Sequence, residues 1–145
     1  MLNMDQRILA YLKTQRIGVL AVEMPDGSPH AATVHFANSE DPLVFYFETN
    51  NHYKKAEALL KKDVSRASLV IGTDENNRKT FQLDGEVRLV KPEEEAIFDK
   101  VYVGKFPEKT EKLKDRAFIH VVFTAKWWRY SDFTVPEGKL ILTSQ

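Results

Sequence analysis

Residues 43–60 read LVFYFETNNHYKKAEALL, and the period of the apolar residues changes halfway along. Leu43 to Phe47 is a short, aromatic-rich run introduced by Asp41-Pro42, which predicts a buried strand. Tyr53, Ala56, Leu59 and Leu60 then fall on one face of a helix. Thr49, Asn50, Asn51 and His52 lie at the junction, and Lys54 and Lys55 open the first helical turn. A helix N-terminus offers free N–H groups and the positive end of the helix dipole, so acidic side chains are its usual occupants. Two lysines there suggest negative charge supplied from outside, and a phosphate is the natural candidate. Two solvated lysines on a surface helix would satisfy the same spacing.

Upstream, Ile17 to Met24 reads as a strand, Pro25-Asp26-Gly27-Ser28-Pro29 as a turn, and His30 to Ala37 as the returning strand of a hairpin. On that return, Ala31, Thr33 and His35 share one face, while His30, Ala32, Val34 and Phe36 share the other. A second turn is expected from Asn38 to Pro42. Residues 1–16 form an amphipathic, charged helix pattern with Ile8, Leu9, Tyr11 and Leu12 on its apolar stripe, and Asn3 or Asp5 as cap.

Downstream, Ala67 to Gly72 is a fourth strand and Thr80 to Val90 a fifth, with Asp84-Gly85 inside it as either a turn or a bulge. Pro92 and Glu93 to Glu95 open a helix whose apolar face is Phe98, Val101 and Tyr102. Residues 104–116 read as a charged loop with a short helix. Phe118 to Thr124, continued by Lys126 to Tyr130, is the sixth strand. Six strands, mostly hairpin-connected, with a few helices predict a mainly β, antiparallel barrel or sandwich with flanking helices, as one domain over residues 1–145.

Composition narrows the function classes. Lys plus Arg and Asp plus Glu both total 21, so no global basic field recruits nucleic acid. Cysteine is absent, which removes disulfides, thiolate nucleophiles and cysteine-ligated zinc, and favours a reducing, cytoplasmic setting. The charged N-terminal pattern is not that of a signal peptide, and no apolar run approaches the roughly 20 residues of a membrane span. His30 and His35 point to opposite faces of one strand, and no pair among the four histidines has metal-site spacing, so no metal is expected.

Three features coincide in order: the D-G-x-P-H-x-x-x-V hairpin at Asp26 to Val34, the strand leading through Thr49 to Lys55-Ala56 and Leu59, and the F-Q-L-D-G strand at Phe81 to Gly85. Together they resemble the pyridoxamine 5′-phosphate oxidase-like family, the split barrels that bind flavin mononucleotide (FMN), from about Gln6 to Trp128. The resemblance implies a six-stranded antiparallel Greek-key split barrel and a homodimer with FMN at the subunit interface. It places the phosphate on Thr49, Lys54 and Lys55. Thr33, Val34 and His35 would run along the isoalloxazine edge, Gln82 would bring an amide to the ring, and Trp127 and Trp128 would end the last strand near the partner's flavin. Phe36, Phe47 and Phe81 are candidates for the apolar slot a flat ring needs, although aromatics at strand spacing are more often core.

Two positions depart from the pattern. Tyr53 stands where the family often has serine, and Ala32 where its strand usually carries a phosphate-binding arginine. The chain also ends soon after Trp128 without the long basic tail of the oxidases that make pyridoxal phosphate. The expectation is therefore a flavin-dependent oxidoreductase acting on some other small molecule. The rival readings are a flavin-binding or stress-sensing module without catalysis, and a relative that uses a deazaflavin, haem or no cofactor.

Overall fold

Alternating side chains and the Asp26-Gly27 turn pair Ile17–Glu23 (β1) with Pro29–His35 (β2) along their whole length, from Ile17 opposite His35 to Glu23 opposite Pro29. The computed structural model describes residues 4–145 and places this hairpin at one end of a single antiparallel sheet. The remaining strands are Ala37–Glu40 (β3), Leu43–Asn50 (β4), Ser65–Ile71 (β5), Lys79–Leu89 (β6), Phe118–Asp132 (β7) and Leu140–Thr143 (β8). Their order is β2-β1-β5-β6-β7-β4-β3, with β8 added to β7. The sheet curls until β2 comes back against β4, making a split barrel whose seam runs between those strands. Among the described residues three α-helices flank it: Gln6–Thr14 (α1), Lys54–Lys61 (α2) and Glu95–Lys105 (α3).

The inward faces fill the barrel with rings. Phe45 packs against Phe36, Phe81 and Phe123 at centroid distances of 5.8, 6.5 and 6.1 Å. α1 seals one end through Ile8, Tyr11 and Leu12. Asp5 caps it, its carboxylate accepting from the Arg7 backbone N–H at 2.8 Å. Asn3, the other expected cap, lies outside the described residues. A second, smaller cluster forms where Phe98, Tyr102 and Phe106 of the α3 region meet Tyr46 and Val122 on the outer side of the sheet.

The mainly β, antiparallel split barrel expected from the sequence is present, with eight strands among the described residues instead of six. The expected turn at Asn38 to Pro42 is largely strand: Asn38 and Ser39 pair with Phe45 and Val44 as part of β3. β2 ends at His35 because the Phe36 N–H turns to the Arg16 carbonyl at 3.1 Å and starts a bend into β3. Asp84-Gly85 is a bulge within one strand, not a turn. Asp84 pairs with Trp127 and Gly85 with Ala125, leaving Lys126 as the extra residue on β7. The strands approach so closely there that a Cβ on Gly85 would lie 2.0 Å from the Thr124 carbonyl oxygen. In the 104–116 stretch, α3 runs on to Lys105, and short 3-10 turns follow at Pro107–Lys109 and Lys112–Lys114.

A half-buried cation, Lys105, makes stability depend on pH. The Lys105 ammonium lies 3.8 Å over the Phe36 ring and donates to the Leu12 carbonyl at 3.3 Å. Burial, helped by nearby Arg16, pushes its pKa down to about 8. Between that value and the ordinary lysine range the unfolded chain holds the extra proton, so this group's contribution to stability rises with pH across the interval. The expected result is a Lys105→Met variant whose stability relative to the parent is highest at pH 7 and declines towards pH 10. Urea denaturation of both proteins at the two pH values checks it, and a difference independent of pH would reject the assignment.

Candidate functional site

The seam between β2 and β4 opens at one end into a cleft of about 130 Å³, lined by Thr33, Val34 and His35, by Glu48, Thr49 and Asn50, by Tyr53 and Lys55, and by Lys112 and Phe118. β4 delivers Thr49 to its wall, and the chain then folds tightly into α2. The Asn50 side-chain oxygen accepts from the His52 N–H at 2.9 Å, and the Tyr53 N–H bonds the Asn50 carbonyl at 3.1 Å. This turn aims the start of α2 at the cleft, with Tyr53 at the cap position and no side-chain cap on the helix N–H groups.

Two polar side chains here lack partners among the described residues. Thr49 is 4% exposed and its Oγ1 makes no hydrogen bond. Lys55 is 8% exposed, has no carboxylate within ion-pair distance, and sets its ammonium 4.6 Å from the Tyr53 ring centroid. Burial pushes the Lys55 pKa below the ordinary lysine value, and the Glu48 carboxylate partly opposes that shift. A buried cation beside an unsatisfied hydroxyl is costly unless something negative completes it. The donor set at the cleft thus fits an oxyanion, and the phosphate of FMN is one.

The basic pair divides. Adjacent helical residues point about 100° apart. Lys55 therefore enters the cleft while Lys54 is exposed and does not line it. Thr33, Val34 and His35 do meet Thr49 and Lys55 there. β2 pairs only with β1 among the described residues, so one row of its backbone N–H and C=O groups is open along the seam. Burial, with Lys109 and Arg16 next in effect, holds the His35 pKa below the ordinary histidine value and keeps the ring neutral at pH 7. Ala32 sits opposite Leu20 on the core side of β2 and brings no charge to the cleft.

Gln82 and Trp128 lie elsewhere in the chain. Gln82 is exposed on the solvent face of β6, paired with Arg129 and Val70. Trp128 stands edge-on to Phe81 at 5.8 Å and packs on the barrel core. Phe36, Phe47 and Phe81 belong wholly to that core, at most 1% exposed, so none lines a ring slot.

Two features of the fold leave no pattern in the sequence. Glu48 also lines the cleft and accepts from Lys109 and Lys112; strand alternation turns it to the face of β4 opposite Thr49, and its cationic partners come from a distant segment. Glu95, Asp99 and His120 also bring ligand atoms within 4.8 Å of one another. The His120 Nδ1 is 2.7 Å from Glu95, and its ring stacks on Phe98 at 4.1 Å. Comparing histidines only with each other hid this group, because its carboxylates come from α3.

The family model for pyridoxamine 5′-phosphate oxidase matches residues 4–132. This chain belongs to that family. Solved structures agree on the fold of this pyridoxamine 5′-phosphate oxidase family member. A heme binding protein from Mycobacterium smegmatis aligns with a TM-score of 0.74 at 14% identity, covering 100% of this chain, which spans 60% of that protein's length. A putative pyridoxamine 5′-phosphate oxidase from Listeria innocua gives 0.67 at 21% identity over 86% of this chain and 95% of its own. A pyridoxamine 5′-phosphate oxidase-related, FMN binding protein from Nostoc punctiforme gives 0.67 at 14% identity, covering 95% and 88%. No curated protein matches the sequence. Among the described residues no helix is long and apolar enough to cross a membrane.

Proposed function

We propose that this protein is an FMN-dependent oxidoreductase acting on a small molecule, working as a cytoplasmic homodimer. The observation that carries the reading is the buried Thr49 Oγ1, without a hydrogen-bond partner among the described residues, beside the buried Lys55 side chain, without an ion-pair partner among them, at an uncapped helix start. FMN supplies hydride acceptance and return at its ring once held there. Lys55 and Thr49 fix the phosphate, and the open edge of β2 at Thr33 to His35 offers backbone donors and acceptors that orient the ring. His35, neutral at pH 7, gives and accepts hydrogen bonds without adding charge.

Support for the dimer comes from residues that stand apart in one chain. Gln82 shares the outer face of β5 and β6 with the exposed Val70, away from the cleft. A twofold packing that covers this face brings one subunit's Gln82 towards its partner's ring, as the resemblance implies, whereas Trp128 pairs with Leu83 on the core side and stays within its own barrel. The heme binding relative has the same fold, so haem is the rival cofactor to test.

Titration of the purified protein with FMN and with haemin, read by absorbance and light scattering, decides the reading. The expected result is saturable FMN binding, one flavin per chain, by a particle of twice the 16.7 kDa chain mass. A Soret band with no flavin uptake would overturn it. Flavin bound by a stable monomer would remove the shared site. Bound flavin that no nicotinamide reduces would favour the non-catalytic, sensing reading.

A further inference from the structure

The cleft holds more positive charge than Lys55 alone. The segment between α3 and β7 carries Lys109 and Lys112, whose ammonium groups lie 3.4 and 3.2 Å from the same oxygen of the cleft residue Glu48. That carboxylate is 6% exposed, and its other oxygen has no partner among the described residues. Lys109 is deeply placed and also donates to the Tyr102 hydroxyl at 3.2 Å. Lys112 is different: it is 44% exposed, packs over the Phe118 ring at 4.6 Å, and lines the cleft with Thr49 and Lys55. Three ammonium groups against one carboxylate leave a net charge of two, with His35 neutral. That surplus matches a phosphate monoester in its dianionic form, which carries about −1.5 to −2 at pH 7.

We propose that Lys112 is an anion-binding residue of this cleft, that the ligand it selects is a dianionic phosphate monoester, and that Glu48 is the internal counter-ion that sets its affinity. Glu48 parks the Lys112 ammonium beside the cleft. An arriving phosphate competes with the carboxylate for it, and the flexible side chain reaches the new anion without backbone movement. Lys109, pinned between Glu48 and Tyr102, neutralises the carboxylate meanwhile, so the anion meets no uncompensated negative charge. This inference rests on the proposed phosphate role of Lys55 and adds the partner that the core-facing Ala32 does not supply.

The test compares FMN, riboflavin and inorganic phosphate on the parent, Lys112→Ala and Glu48→Gln proteins by titration calorimetry, with melting temperature as the check on folding. Because Lys112 is half-exposed, its loss is expected to weaken FMN about five- to ten-fold, with riboflavin unchanged. Glu48→Gln is expected to tighten FMN and phosphate about two- to five-fold, an effect that shrinks in high salt. FMN affinity unchanged in Lys112→Ala would overturn the proposal while leaving the flavin reading intact. A parent protein that ignores FMN but binds phosphate through Lys112 would do the reverse. If Lys112 only ties down Glu48, both variants lower the melting temperature and neither moves affinity, which also overturns it.

Discussion

Replacing Lys55 with methionine is expected to weaken FMN binding about ten- to a hundred-fold and to leave riboflavin binding within about two-fold, without lowering the melting temperature of the ligand-free protein. The two halves of this result have one cause. In the free protein the Lys55 ammonium is buried with no carboxylate partner among the described residues, so desolvation works against it and its pKa falls. Methionine fills the same volume along the aliphatic stem with no charge to desolvate. A phosphate reverses the balance, because a charge-assisted hydrogen bond in a partly dry site contributes roughly 1.5–3 kcal/mol. Riboflavin lacks the phosphate and should not register the change. Fluorescence titration with both flavins, alongside thermal melts, reads all three quantities. Equal losses for FMN and riboflavin would take Lys55 off the phosphate, and a lower melting temperature would mean the ammonium has a favourable partner in the free protein.

The part of this site legible in the sequence is the part built by local chain geometry. Strand alternation put Thr33 and His35 on one face of β2, and the change of period after Phe47 put Thr49 and Lys55 at a strand-to-helix junction. Lys54 was grouped with Lys55 because spacing alone does not say which way successive helical residues face; the packing of α2 on the barrel decides that. Glu48, Lys109 and Lys112 were not read as a group because 61 positions separate Glu48 from Lys109, and charged residues at that distance carry no pattern of their own. The β3 stretch reads as a turn because Asn38, Ser39 and Glu40 are poor strand formers; tertiary pairing with β4 overrides that preference. β8 is only four residues long and pairs along one edge, too short for alternation to stand out. Gln82 and Trp128 entered by resemblance alone, and nothing in the single chain brings them to the cleft.

Truncating Phe81 to alanine is expected to be the most destabilising of these changes, at about 3–5 kcal/mol. As an aromatic at strand spacing Phe81 is a candidate wall of the flavin slot, whereas its ring is fully buried in the barrel core. It touches Phe45 at 6.5 Å, Trp128 at 5.8 Å and Tyr130 at 6.3 Å, so its removal exposes several rings to one void. Those neighbours sit on β4, β6's partner β7 and the barrel interior, elements fixed by long hydrogen-bonded ladders, so collapse into the void is limited. For a chain of 145 residues the loss corresponds to a fall in melting temperature of roughly 10–16 °C. The milder Phe81→Leu variant keeps most of the volume and stays folded, which lets binding be measured apart from stability. A core role predicts a reduced melting temperature with FMN affinity unchanged in the leucine variant; a slot role predicts the opposite, weaker flavin binding at nearly unchanged stability. Phe133 gives the control, since its ring is 41% exposed and its truncation should move stability by no more than about 0.5 kcal/mol. Comparable losses at Phe81 and Phe133 would mean that the barrel interior is not packed as described.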